Sequence, residues 1–198
     1  MQNLDQTIYS ALLLIFSVFM ILRLKSRKII AIKGMSTVII FSCGCLFVKM
    51  PNDYALLYTI ICLMWLPLSL EDILYHSVNT YYLVIITIFC VALSQVFNTT
   101  SLLELTTIFG IIFTIKLAIG VIERVKNTTL IGQADYYAAL AFISIIGTSS
   151  VGTWFILFPI MGIAGHLLRS NRPLEIPLIP YMFSAWCLVY TIQHSYIF

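Results

Sequence analysis

An all-α integral membrane protein, a polytopic bundle of about eight transmembrane helices, is the fold class this sequence predicts, and three observations predict it. Hydrophobic residues make up 61% of the 198 residues and charged residues only 10%, against roughly 25% charged in a soluble domain. So few charges cannot clothe a water-facing surface. The apolar residues come in runs long enough to cross a hydrocarbon core of about 30 Å, and the basic residues fall almost entirely on one side when those runs are threaded in order. The whole chain, 1–198, reads as a single transmembrane helical domain with the lipid bilayer as its solvent. The same composition excludes a soluble enzyme and a disordered chain. A net charge of +3 is too small to argue for a polyanion, so no nucleic-acid partner is expected.

The first run extends from Gln6 to Leu22 and stops at Arg23. It follows Asp5 rather than a basic segment, which predicts a retained membrane helix rather than a cleaved signal peptide. The second, Gly34 to Val48, is short, with Lys33 and Lys49 placed to reach opposite interfaces. The third, Tyr54 to Leu70, ends against Glu71-Asp72. The fourth starts near Thr80 and fades at Asn98-Thr99-Thr100-Ser101. The fifth, Leu105 to Ile122, contains one charge, Lys116. From Tyr136 to Leu168 no residue carries a formal charge. As one helix that stretch is about 50 Å long at 1.5 Å per residue, too much for one crossing. The segment Gly147–Gly152 is therefore expected to turn, giving a sixth and a seventh span. The eighth covers roughly Pro180 to the C-terminus.

Charge tests the count. Arg23, Lys25, Arg27, Lys28 and Lys33 lie between the first two runs, Arg124 and Lys126 between the fifth and sixth, and Arg169 and Arg172 between the seventh and eighth. With eight spans all nine share one side. Lys49 alone falls opposite, and Lys116 lies within a run. The positive-inside rule makes the shared side cytoplasmic and puts both termini outside. Glu71, Asp72, Glu123, Asp135 and Glu175 land on that same side, whereas Asp5, Asp53 and Glu104 do not. The five cysteines (43, 45, 62, 90 and 187) are scattered through apolar stretches with no CxxC pair. They read as buried small hydrophobes, with no disulfide or metal site implied.

Two of the acids stand in suggestive contexts. Asp72 lies at the cytoplasmic end of the third run, in Leu70-Glu-Asp-Ile-Leu-Tyr-His-Ser-Val-Asn79, and Asp135 follows the small-residue turn Gly132-Gln-Ala134 at the start of the sixth. The bland readings are a solvated interfacial acid for Asp72 and an N-cap on Tyr136–Leu140 for Asp135. The chemical reading pairs them. Two carboxyl groups held close share a proton, the ionised member activating water and the protonated member polarising a scissile carbonyl.

These segments resemble the type IV prepilin peptidases, membrane aspartyl proteases of the GxGD class, over roughly Tyr54 to Ala185. Asp72 is followed six residues later by the aliphatic Val78, Gly132-Gln-Ala134-Asp135 matches the GxAD form, and Ile176-Pro177-Leu-Ile-Pro180 keeps both prolines of the family's C-terminal pattern. Asn79-Thr80 replaces the usual Pro-Asn, Tyr137 stands where a lysine is common, and Leu178-Ile179 replaces Phe-Gly. Only the basic loop Arg23–Lys33 occupies the place of the insertion with two CxxC pairs that many members carry.

The resemblance implies an aspartic-type endopeptidase of the bacterial inner membrane, in type IV pilus assembly or protein secretion. It would cut prepilin or pseudopilin precursors after a short basic leader at the cytoplasmic face. Asp72 and Asp135 would be catalytic, supported by Gly132, Ala134, Pro177 and Pro180. No cofactor is implied for the peptidase. S-adenosylmethionine enters only if such an enzyme's second activity, methylation of the new N-terminus, is retained, which the resemblance leaves open, as it does the oligomeric state.

Other residues compete for roles. Glu71 rivals Asp72, although adjacent helical positions point about 100° apart. His76 lies one turn beyond Asp72. Lys116 is placed either to pair with an acid or to snorkel, and Tyr81, Tyr82 and Trp154 read as interface anchors. Three other functions remain open: a small ion- or proton-coupled transporter using the intramembrane carboxylates, a noncatalytic assembly protein, and a rhomboid-like serine protease using Ser149 or Ser150 with His166. In the last, the topology puts serines and histidine at opposite faces.

Overall fold

The computed structural model describes residues 2–23, 38, 42, 45, 50–75, 77–127, 131–167 and 177–195. Among these every regular element is a helix: α1 (Gln2–Arg23), α2 (Asn52–Tyr75), α3 (Thr80–Val96), α4 (Leu102–Lys126), α5 (Gln133–Leu167) and α6 (Leu178–His194). Three of them are long and apolar enough to cross a bilayer, namely α2, α4 and, within α5, Gln133–Gly165; α3 is a shorter apolar helix. The chain therefore has the helices of a membrane protein. Eight spans exceed those three, and the expected second run, 34–48, lies outside the described residues apart from Val38, Ser42 and Cys45. The basic residues expected at 25–33, 49, 169 and 172 also lie outside them, as do Cys43, His76 and Glu175.

The chain forms two compact units. The first comprises residues 1–78 and 153–198, where α2 packs against both α1 and α6. Its interior is aromatic. Trp186 stacks against Tyr58 at 5.5 Å and Tyr190 at 5.0 Å between ring centroids, and His194 stacks on Tyr54 at 4.0 Å. Such offset pairs contribute about 0.5–1.5 kcal/mol each beyond simple burial. Polar tips are tied to the backbone: Tyr190 donates to the Tyr54 carbonyl (3.1 Å) and the Trp154 indole to that of Met182 (3.0 Å). Trp154 is thus buried and bonded, not an interface anchor. Tyr81 and Tyr82 are exposed, as an anchoring role requires. Cys45, Cys62 and Cys187 in this unit, and Cys90 in the other, are buried and outside any disulfide.

The second unit, residues 79–152, holds α3, α4 and the first part of α5. Asn79 caps α3, its side chain accepting from the Tyr81 N–H at 3.0 Å. Ser101 and Glu104 form a reciprocal capping box at the start of α4. Only 17% of the most apolar stretch of α4 is buried, against 67% for α2, so α4 turns most of its apolar surface outward. Thr87 ties α3 to α5 by donating to the Tyr137 carbonyl at 3.1 Å.

The expected turn over 147–152 is narrower than the sequence suggests. Only Gly147 leaves the helical region (φ 70°, ψ 175°), and residues 148–152 are already helical. That backbone region is essentially closed to residues with a side chain. Residues from other elements satisfy the broken ends. The Thr100 hydroxyl donates to the Ser144 carbonyl (3.0 Å), and Glu104 accepts from the Thr148 hydroxyl (2.9 Å) and its N–H.

Candidate functional site

Asp72 sits on the last turn of α2, where it is buried with 8% of its surface exposed, whereas its neighbour Glu71 is half-buried. The 100° step between adjacent positions accounts for the difference. The Asp72 carboxylate reaches the beginning of α6, accepting from the Ile179 backbone N–H at 3.1 Å in a buried hydrogen bond. The local sequence explains why α6 uses an acid from another helix. Its N-cap residue, Pro177, is extended (φ −66°, ψ 110°) and supplies no side-chain cap. A helix leaves its first N–H groups unpaired, and Pro177 and Pro180 have none to leave. The donors that remain belong to Leu178 and Ile179, and Asp72 takes the second. A charge-assisted bond of this kind fixes where a carboxyl group points.

Asp72, Pro177 and Pro180, singled out from separate stretches of sequence, thus meet at one place within the first unit. Ser69 adds to it. Three residues before Asp72 on α2, it lies on the same helix face. It is fully buried, and its hydroxyl has no hydrogen-bond partner. Leaving a buried hydroxyl unsatisfied costs roughly 1–3 kcal/mol. Nothing in its type or spacing marked Ser69 in the sequence beyond its position one turn from an acid.

Gly132, Ala134 and Asp135 come together in the second unit. α5 begins at Gln133, so Gly132 is the cap position and Asp135 the third residue of the helix. This corrects the expectation that Asp135 is itself the N-cap. Its carboxylate reaches back to accept from the Gly132 N–H at 3.1 Å, while its own N–H donates to the Gly132 carbonyl, also at 3.1 Å. The first of these is half of a capping box. A Cβ at position 132 would lie 3.1 Å from Asp135 Oδ2, so the small residue lets the acid fold back over the turn. Asp135 is half-buried. Beside it, the Lys116 ammonium lies 5.7 Å from the centre of the Tyr136 ring, a cation–π contact. Glu123 crosses the α4–α5 connection to accept from the Ile131 N–H at 3.1 Å.

Asp72 belongs to the first unit and Asp135 to the second. Each is a carboxylate at the N-terminus of a helix, held by a backbone N–H, and each is chemically able to act as an acid or base. Glu104 is a third acid of this kind. The Ser-x-x-Glu pattern of residues 101–104 was the signal that could have found it. No protein-family model, no curated protein and no solved structure matches this chain.

Proposed function

We propose that this protein is a membrane-embedded aspartyl endopeptidase that removes the short basic leader from type IV prepilin-like precursors at the cytoplasmic face of a bacterial inner membrane. The observation that carries this reading is the position of Asp72: a buried carboxylate, bonded to Ile179 between the two prolines of the C-terminal motif. Two of the three segments that resemble the peptidase family thereby share one site. In this reading the chain makes eight crossings with both termini outside, and Asp72 and Asp135 are the two catalytic carboxyl groups. One carboxylate takes a proton from water as the oxygen attacks the scissile carbonyl. The other, protonated, polarises that carbonyl. The C–N bond then breaks, and the proton passes to the leaving amine. Neither a metal nor a covalent intermediate takes part.

The test is incubation of the purified protein and its Asp72→Asn and Asp135→Asn variants with a full-length prepilin in detergent. Both variants are expected to lose about a thousandfold or more in cleavage rate, the scale of removing a catalytic acid or base. Substantial cleavage by either folded variant overturns the mechanism.

One observation favours a second reading, a proton- or cation-coupled carrier. Discontinuous helices are a feature of transporters, and acids among membrane helices mark proton and cation pathways; α5 breaks at Gly147 beside Glu104. Solute or ion flux in proteoliposomes, abolished by Glu104→Gln and unaccompanied by prepilin cleavage, selects that reading.

A further inference from the structure

We infer that Glu123 is a positioning residue for Asp135, holding from the end of α4 the turn that aims the Asp135 carboxyl group. The inference rests on the endopeptidase reading above and adds a residue to it.

Two consecutive amides lead into α5, and acids from two different helices hold them. The Ile131 N–H donates to Glu123 Oε1 on α4, and the Gly132 N–H donates to Asp135 Oδ2 on α5, both at 3.1 Å. Peptide planes are rigid, so only the φ and ψ of Ile131 separate the peptide that Glu123 holds from the one that holds Asp135. The backbone of Glu123 is engaged as well: its carbonyl accepts from the N–H of Asn127, the left-handed residue that closes α4 (φ 50°, ψ 39°). One residue thus grips the connection where it leaves α4 and again where it reaches α5. The two carboxylates also converge, since both lie within electrostatic reach of the Tyr136 hydroxyl.

The start of α4 shows what the start of α5 lacks. There the cap is self-contained, Ser101 and Glu104 each accepting from the other's backbone N–H. At α5 the cap position is Gly132, which has no side chain to return the bond. The peptide that holds Asp135 is joined to α5 through Gly132, whose φ and ψ are the least restricted of any residue. From the helix side, therefore, little keeps the Gly132 N–H aimed at Asp135. Glu123 supplies the restraint from the other side, and as a carboxylate it does so through a charge-assisted bond. Misplacing a reacting group by about 1 Å costs on the order of a hundredfold in rate, so a loose turn at Gly132 would be felt at Asp135.

The experiment compares wild type, Glu123→Ala, Glu123→Gln and Asp135→Asn in detergent. Cleavage of a full-length prepilin, melting temperature and hydrogen exchange at the Ile131 and Gly132 amides are read on each. Glu123→Ala is expected to lower kcat by about 10- to 100-fold with KM within about twofold of wild type. It is also expected to speed exchange at both amides by about tenfold or more, the equivalent of a lost charge-assisted hydrogen bond. Glu123→Gln, which keeps an acceptor oxygen, is expected to stay within about threefold of wild type in rate and exchange. Faster exchange at Ile131 alone, or wild-type cleavage by Glu123→Ala, overturns the inference; if Asp135→Asn is inactive at the same time, the endopeptidase reading stands. A Glu123→Ala that does not fold, or a matching loss of rate and melting temperature in both Glu123 variants, makes Glu123 structural and overturns the inference in the same way. Cleavage by folded Asp135→Asn removes the reading itself, and this inference with it.

Discussion

The start of α6 and the restart of α5 after Gly147 pose the same problem and solve it in the same way, yet only one of them has the makings of a reactive site. Neither helix segment can cap itself, because Pro177 has no capping side chain and Gly147 has no side chain at all. In each case an acid from another helix supplies the acceptor: Asp72 for Ile179 and Glu104 for Thr148. The surroundings differ. Glu104 is half-exposed and fully engaged, accepting from the Ser101 N–H (2.8 Å), the Ser101 hydroxyl (3.1 Å) and Thr148. Asp72 is buried, beside a serine whose hydroxyl is uncommitted. A cap that is satisfied and wet is a joint. A buried acid beside a serine hydroxyl with no partner keeps chemistry in reserve, since an unpaired buried hydroxyl costs stability that a purely structural cap has no reason to forgo.

The sharpest way to break this comparison is to neutralise both acids and measure prepilin cleavage. Asp72→Asn is expected to abolish it, by about a thousandfold. Glu104→Gln is expected to leave the rate within about twofold, because a joint needs an acceptor oxygen rather than a charge. Equal losses from the two substitutions dissolve the distinction between joint and site.

The next effect in size is at the joint itself. Gly147→Ala forces a side chain into a backbone region that only glycine occupies comfortably, a strain of about 1–3 kcal/mol. The new methyl group would also meet the Thr100 Cγ2 at 3.4 Å. The expected result is a lower unfolding midpoint in detergent with cleavage retained per folded molecule. An unchanged midpoint means that the break at Gly147 is not held in the folded protein.

The comparison also shows which parts were legible in the sequence. Hydrophobic runs located α2, α3, α4 and α6 because burial or lipid contact leaves a compositional trace residue by residue. Thr80 was placed correctly as the start of α3. The ends were blurred where polar caps extend a helix beyond its apolar run. The Ser101–Glu104 box starts α4 one turn before Leu105, and Gly132 with Asp135 starts α5 before the charge-free stretch begins. At Gly147 the glycine was visible, but the width of the break was not, because it depends on Thr100 and Glu104, more than forty residues away along the chain. The same holds at the candidate site. Asp72 and the prolines each stood out, but their meeting depends on a hydrogen bond across 107 residues. Ser69 carries no signal until its burial and missing partner are known.

The smallest effects separate the two halves of the joint. Thr100 is buried at 4% exposure and donates to the Ser144 carbonyl at 3.0 Å, the carbonyl that would accept from the Thr148 N–H in an unbroken helix. Thr100→Val keeps the shape but strands that carbonyl, so a loss of about 1 kcal/mol is expected. Glu104→Gln keeps an oxygen for Thr148 at a half-exposed position where water competes, and its cost is expected to stay below about 0.5 kcal/mol. Unfolding midpoints of the two variants in one detergent measure both. If Glu104→Gln costs more than Thr100→Val, the charge at residue 104 matters beyond capping. The joint would then resemble the Asp72 site more than this comparison allows, and the carrier reading, which needs a working acid beside the broken helix, would gain the ground that the endopeptidase loses.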